Sequence, residues 1–266
     1  MKVASNGLAI HVEEQGEGDL SLVFLHYWGG SSRTWKHLTA KLAPTYRTIA
    51  IDHRGWGESD APADGYGLAD LAADAEGVIN ALNLQRYVLV GHSMGGKVAQ
   101  LMASRRAAGL AGLVLVAPSP PQPMVMPAQV REMMAGSYAT RETVEATIDN
   151  VLTAKPLAAE DREQAITDSL RGAPPAKLAW PKATSLEDIT RQVGAIDVPT
   201  IVIVGEQDRV DSPNLLEAEL LSRIPQAVMH VLPGTGHLSM LESPDALSAL
   251  IKQFCSALSS QAAVTR

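Results

Sequence analysis

The chain has 266 residues, with 22 Lys plus Arg against 29 Asp plus Glu, a formal net charge of −7. That mild acidity excludes a nucleic-acid footprint, which needs clustered basic side chains, and a 46% apolar, 19% charged composition is that of a globular protein. A chain this long buries enough surface to fold without a staple, and its single cysteine, Cys255, has no partner for an intrachain disulfide. With no secretory leader and no apolar run of membrane length, the expectation is a cytoplasmic protein that makes no membrane contact.

Residues 3–14 alternate in two short segments around Asn6-Gly7, which predicts a hairpin. The apolar run 22–25 predicts a buried strand, broken by Gly29-Gly30-Ser31-Ser32 before a helix over 33–42. Strand 47–51, helix 67–84, strand 87–90, helix 94–106 and strand 113–116 follow. After a long interval, strands 200–204 and 228–232 and a helix over 244–258 close the pattern. Continuous Val/Ile/Leu strands separated by helices mean strands covered on both faces. The predicted fold class is therefore α/β, a mostly parallel eight-stranded sheet flanked by helices with the hairpin at one edge.

Between Ala117 and Pro199 the strand–helix rhythm lapses. Helical patterns cover 128–138, 141–154 and 159–171, with Pro118-Ser119-Pro120-Pro121 and Pro174-Pro175 read as proline-rich joints. A structureless loop of that length is improbable, so this stretch is expected to be a helical cap over the crevice at the carboxyl ends of the strands. The predicted division is a core of residues 1–118 and 186–266 and a cap of residues 119–185.

Gly91-His92-Ser93-Met94-Gly95 is a G-x-S-x-G directly after a strand and before a helix. That context puts Ser93 on a tight, exposed turn at a helix N-terminus, where a nucleophile and its developing negative charge are favoured. A serine nucleophile needs a base. In the order serine, acid, histidine, only His230 and His237 of the seven histidines follow. His230 lies inside a predicted strand, whereas His237 lies in the loop Pro233-Gly234-Thr235-Gly236 beyond it, so His237 is the candidate base. Asp208, just past strand 200–204, is the candidate acid that orients it. Asp211 is read as a helix cap before Pro213, and Glu206 as part of the turn. An oxyanion needs donors: the Met94 backbone N–H is one candidate, and the loop His26-Tyr27-Trp28-Gly29-Gly30 should supply the other.

Those segments, together with Asp52-His53-Arg54-Gly55-Trp56-Gly57-Glu58-Ser59, Gly205-Glu206-Gln207-Asp208 and Gly236-His237, resemble the α/β-hydrolase fold family over nearly the whole chain. The likeness is to its branch of esterases, lactonases, C–C hydrolases and cofactor-free haloperoxidases. The resemblance implies that the Trp28 N–H is the second oxyanion donor and that 52–59 is a structural loop beside the serine turn. A serine at the nucleophile position disfavours the carboxylate-attacking dehalogenases and epoxide hydrolases of the same fold. Where the family usually has His-Gly, this chain has His26-Tyr27. A glycine there allows unusual backbone angles and leaves room for substrate; Tyr27 does neither, so a narrower or more polar acyl pocket is expected.

No G-x-G-x-x-G, no phosphate-loop Lys-Ser/Thr and no metal-spaced histidine pair occurs, so neither cofactor nor metal is expected. Met124, Met126, Met133 and Met134 read first as adaptable core filler and second as a flexible apolar wall for substrate. Trp180 and Leu238 are candidate pocket residues on the same argument. The resulting expectation is a carboxylic ester hydrolase (esterase or lactonase) acting on a small molecule with an apolar or aromatic part. C–C hydrolysis, perhydrolysis or lyase chemistry with the same residues is the alternative, and a ligand receptor on this scaffold is a third reading. The oligomeric state stays open.

Overall fold

A computed structural model describes residues 1–264. Its eight strands are β1 (Lys2–Ser5), β2 (Leu8–Gln15), β3 (Ser21–Leu25), β4 (Arg47–Ile51), β5 (Tyr87–His92), β6 (Leu110–Val116), β7 (Thr200–Gly205) and β8 (Ala227–Leu232). They form one sheet in the order β1-β2-β4-β3-β5-β6-β7-β8. β1 and β2 pair antiparallel, β2 pairs antiparallel with β4, and the remaining neighbours are parallel. The hairpin closes because Asn6 (φ 50°) and Gly7 (φ 78°) both take the left-handed conformation a two-residue turn needs. Every residue of β3, β5 and β7 is buried, as strands with helices on both faces require. β8 is an edge, with Val228 56% exposed.

The strand order reverses at β3. From it the chain steps one way to β4 and the other way to β5, so the loops leaving the carboxyl ends of β3 and β5 lie side by side at the switch point where ligand crevices form. Helices α1 (Lys36–Leu42), α2 (Leu68–Ala81) and α3 (Met94–Ser104) cover the sheet, and residues 94–103 of α3 are all buried. The predicted helix over 33–42 begins as a 3₁₀ turn, Ser32–Trp35, which Ser31 caps through the Arg33 N–H.

The interval between β6 and β7 holds α4 (Ala128–Gly136), α5 (Arg141–Thr147) running into a π turn at Ile148–Leu152, α6 (Ala159–Arg171) and α7 (Pro174–Lys182). Pro174-Pro175 is not a joint but the first turn of α7. A helix's first N–H groups have no intrahelical acceptor, so proline loses nothing there and its fixed φ favours the start. The helix Pro244–Val264 closes the described chain. Among the described residues no helix is long and apolar enough to cross a membrane.

Candidate active site

Ser93 leaves β5 with φ 52° and ψ −116°, a conformation that costs a non-glycine residue on the order of 1–3 kcal/mol and persists only where the surroundings enforce it. Here the Ser93 N–H donates to Val116 O (3.2 Å), and its carbonyl accepts from Lys97 N and Ser119 N, both at 3.0 Å. The flanking glycines let strand and helix pass. A Cβ on Gly91 would lie 2.5 Å from Gly95 O and 2.8 Å from Ala99 Cβ, and one on Gly95 would lie 2.6 Å from His26 O. The turn thus presents Ser93 at the N-terminus of α3, whose free amides and dipole favour negative charge.

Asp208 follows β7, with its N–H on Gly205 O. Its Oδ1 accepts from Val210 N (2.8 Å) and Asp211 N (3.0 Å), leaving Oδ2 to accept from His237 Nδ1 at 2.8 Å. The carboxylate therefore fixes the tautomer that leaves the Nε2 lone pair of His237 free. Burial alone would lower the His237 pKa, but the charge of Asp208 and its hydrogen bond outweigh that and hold it above the ordinary imidazole value. His92 Nε2 donates to the His237 carbonyl at 3.0 Å, tying the serine turn to the histidine loop. Glu242 closes the other side, accepting from Gly236 N (2.9 Å) and Ala154 N (2.8 Å). His230 sits half-buried on edge strand β8, consistent with its placement inside a strand.

The loop after β3 is held from both ends. His26 is fully buried with its pKa pushed down to about 4 by desolvation, so it is neutral: Nδ1 donates to Tyr27 O (2.7 Å) and Nε2 accepts from His53 N (3.0 Å). Residues 52–59 brace this arrangement, with Asp52 accepting from Glu58 N (2.8 Å) and His11 Nδ1 (2.8 Å). Tyr27 is not among the residues of positive φ, so the glycine usual at this position is not demanded by the backbone. Its ring turns inward against His92, 5.2 Å between centroids, over a Gly30 whose Cβ would meet it at 2.6 Å. Among the described residues, the backbone N–H groups of Trp28 and Met94 donate to no protein acceptor. The inserted segment grips the same loop: Tyr138 Oη donates to Trp28 O (2.8 Å), Ser169 Oγ to Gly29 O (2.9 Å), and Trp28 Nε1 to Lys177 O (3.1 Å).

Ser93, His237, Tyr27 and Trp28 line one cavity of about 1140 Å³, together with residues of the inserted helices. Trp180 lines it too. All four methionines singled out from the sequence, Met124, Met126, Met133 and Met134, line this cavity, and Met124 and Met134 also pack against the core, so the two readings hold together for that pair. A residue at a wall and a residue in a core share the same apolar signal, so the sequence does not separate the two. Leu238 is a correction: it is fully buried, its N–H donates to Leu152 O, and it is not among the residues that line this cavity.

Asp211 is a second correction. Ser212, not Asp211, caps the helix Pro213–Leu216, accepting from Leu215 N at 3.3 Å. Asp211 lines the cavity, 1% exposed, and burial pushes its carboxyl up to about 8. Sequence reasoning also passed over Tyr138, His92 and Glu242. Only His92 carried a signal, as the variable residue of the G-x-S-x-G; Tyr138 reaches Trp28 and Glu242 reaches Ala154 across long sequence separations.

Comparison with known proteins decides the family. The pattern of the family described as "Alpha/beta hydrolase family" matches residues 22–250. The chain belongs to the alpha/beta hydrolase family. This alpha/beta hydrolase is 30% identical over 271 residues to a non-heme haloperoxidase of Rhodococcus erythropolis, covering 94% of this chain and 97% of the relative. It is 27% identical over 276 residues to a 2-hydroxy-6-oxononadienedioate/2-hydroxy-6-oxononatrienedioate hydrolase of Paraburkholderia xenovorans, covering 96% and 93%. Among solved structures, a thermophilic esterase from Thermogutta terrifontis aligns with TM-score 0.81 and 26% identity over 97% of each chain. The alpha/beta hydrolase reading and the eight-stranded fold drawn from the sequence are thus right, and the relatives fall in the esterase, C–C hydrolase and haloperoxidase branches.

Proposed function

We propose that this alpha/beta hydrolase is a serine hydrolase that cleaves small carboxylic esters or lactones with an apolar or aromatic part, through a Ser93–His237–Asp208 triad under a helical cap. The observation that carries the reading is the Asp208 Oδ2 to His237 Nδ1 bond of 2.8 Å beside a strained Ser93 on the same cavity. His237 Nε2 takes the Ser93 proton as Oγ attacks the carbonyl carbon. The carbonyl oxygen becomes an anion held by the unspent N–H groups of Trp28, in the loop after β3, and Met94, at the α3 N-terminus. Collapse breaks the ester bond, and the leaving oxygen takes the proton from His237. Water then gives a proton back to His237 and attacks the acyl carbon, freeing the acid and Ser93. The apolar wall of methionines and Trp180 supports an apolar substrate body.

C–C bond hydrolysis is the second reading, favoured by the likeness to the Paraburkholderia enzyme. Both are tested by assaying p-nitrophenyl esters, lactones and a vinylogous 1,5-diketone against the intact protein and Ser93→Ala, with products identified by mass spectrometry. Ester and lactone turnover that vanishes in Ser93→Ala supports the proposal. Turnover confined to the diketone favours the second reading, and ester turnover that survives in Ser93→Ala refutes the mechanism.

A further inference from the structure

The cavity is lined mainly by apolar side chains, yet two of its lining residues each carry a buried side-chain oxygen without a partner: Asp211 Oδ2 and Gln122 Oε1. Asp211 stands out of the two. Its N–H donates to Asp208 Oδ1 at 3.0 Å, the residue is 1% exposed, and its Oδ2 has no hydrogen-bond partner. A buried carboxyl without a partner is costly to the fold, and such violations of local rules concentrate where function requires them. A few polar groups in an apolar cavity set which ligand binds and how it is oriented.

We propose that Asp211 is the polar anchor of the cavity, a specificity-determining residue that binds the hydroxyl of a hydroxylated chain on the substrate. The inference rests on the serine-hydrolase reading above and names the substrate class within it. Burial pushes the Asp211 carboxyl up to about 8, with the His237 and Lys97 charges opposing the rise and the Asp208 charge adding to it, so the protonated form predominates at neutral pH. A neutral carboxyl both donates and accepts a hydrogen bond, and Gln122 Oε1 only accepts. A hydroxyl has the matching capacity in both directions, whereas a ketone only accepts.

The test compares p-nitrophenyl octanoate with its 3-, 6- and 8-hydroxy counterparts, and octyl acetate with 8-hydroxyoctyl acetate, on the intact protein, Asp211→Asn and Asp211→Leu. At least one hydroxylated ester should be preferred in kcat/KM by about tenfold, the scale of one well-placed hydrogen bond. The preference should collapse in Asp211→Leu and persist in part in Asp211→Asn, which keeps a donor and an acceptor. Asp211→Leu should also melt at a higher temperature, because it removes the unpartnered group. No preference in the intact protein, or a preference that survives in folded Asp211→Leu, overturns the proposal. A second arm needs no turnover: in Ser93→Ala, the hydroxyoctanoates or 1,8-octanediol should raise Tm more than octanoate or octanol, and adding Asp211→Leu should erase the difference. Equal shifts refute the anchor even if esters are cleaved. Unequal shifts without ester cleavage sink the ester reading and leave the anchor standing.

Discussion

The hydroxyl of Tyr138 donates to the Trp28 carbonyl at 2.8 Å, so the inserted segment holds the backbone of the loop that carries one unspent amide. The two rings pack 4.2 Å apart, and Gly29, at φ 100°, leaves room for Tyr138 where a side chain would collide with it. Tyr138→Phe keeps the ring and strands the carbonyl. The expected loss is about 1 kcal/mol, or a Tm drop of roughly 2–4 °C. Turnover of a p-nitrophenyl ester should fall about tenfold in kcat with KM little changed, a smaller effect than deleting an oxyanion donor. Unchanged kcat in a correctly folded variant contradicts the positioning role.

Asp208→Asn keeps the shape of the site but removes the charge that orients His237. A fall in kcat on the order of 10⁴ is expected. The pH profile should move with it. With Asp208 in place the His237 pKa is raised, so kcat/KM climbs with pH through a midpoint above the ordinary imidazole value. Without the carboxylate, desolvation dominates and that midpoint drops below it. A midpoint that stays put or rises in the asparagine variant argues against His237 as the base.

Gly95→Ala places a methyl against the carbonyls of Leu25 and His26, backbone atoms that cannot swing away. Overpacking of this kind costs about 1–3 kcal/mol, and it pushes α3 away from the loop after β3. Differential scanning calorimetry should show a lowered Tm, and ester turnover should fall together with it. Wild-type stability and activity would mean that the strand–helix approach is looser than described.

Stability should depend on pH through Asp211. Its folded carboxyl is raised to about 8, so between the ordinary aspartate value and about 8 the folded chain keeps a proton that the unfolded chain releases. Stability from this group is therefore full at low pH and declines as pH rises through that window. Asp211→Asn removes the titration. Its Tm advantage over the intact protein should grow by several degrees from pH 5 to pH 8, read by thermal melts across buffers. A constant difference would place the carboxyl in contact with solvent or with a partner.

The sheet was legible because buried parallel strands write continuous runs such as Leu22-Val23-Phe24-Leu25, and the strand-end positions of Ser93 and Asp208 followed from such runs, while that of His237 followed from the alternating edge strand β8. Features set by tertiary contact were not. Ser212 and Asp211 are equally good caps by residue type, and it is Ser212 Oγ that accepts from Leu215 N, while the Asp211 N–H donates to Asp208 Oδ1. Pro174-Pro175 suits a joint or a helix start alike. Tyr138 and Ser169 meet the Trp28 loop across more than a hundred residues, a separation over which no local pattern exists.

The central claim is that Ser93 is an activated nucleophile, and fluorophosphonate labelling of the native protein beside Ser93→Ala, read by intact and peptide mass spectrometry, tests it most directly. The account predicts one adduct per chain, on Ser93, slowed in Asp208→Asn and absent from Ser93→Ala. An intact, folded protein that takes no label at Ser93, or takes it at another residue, would contradict it.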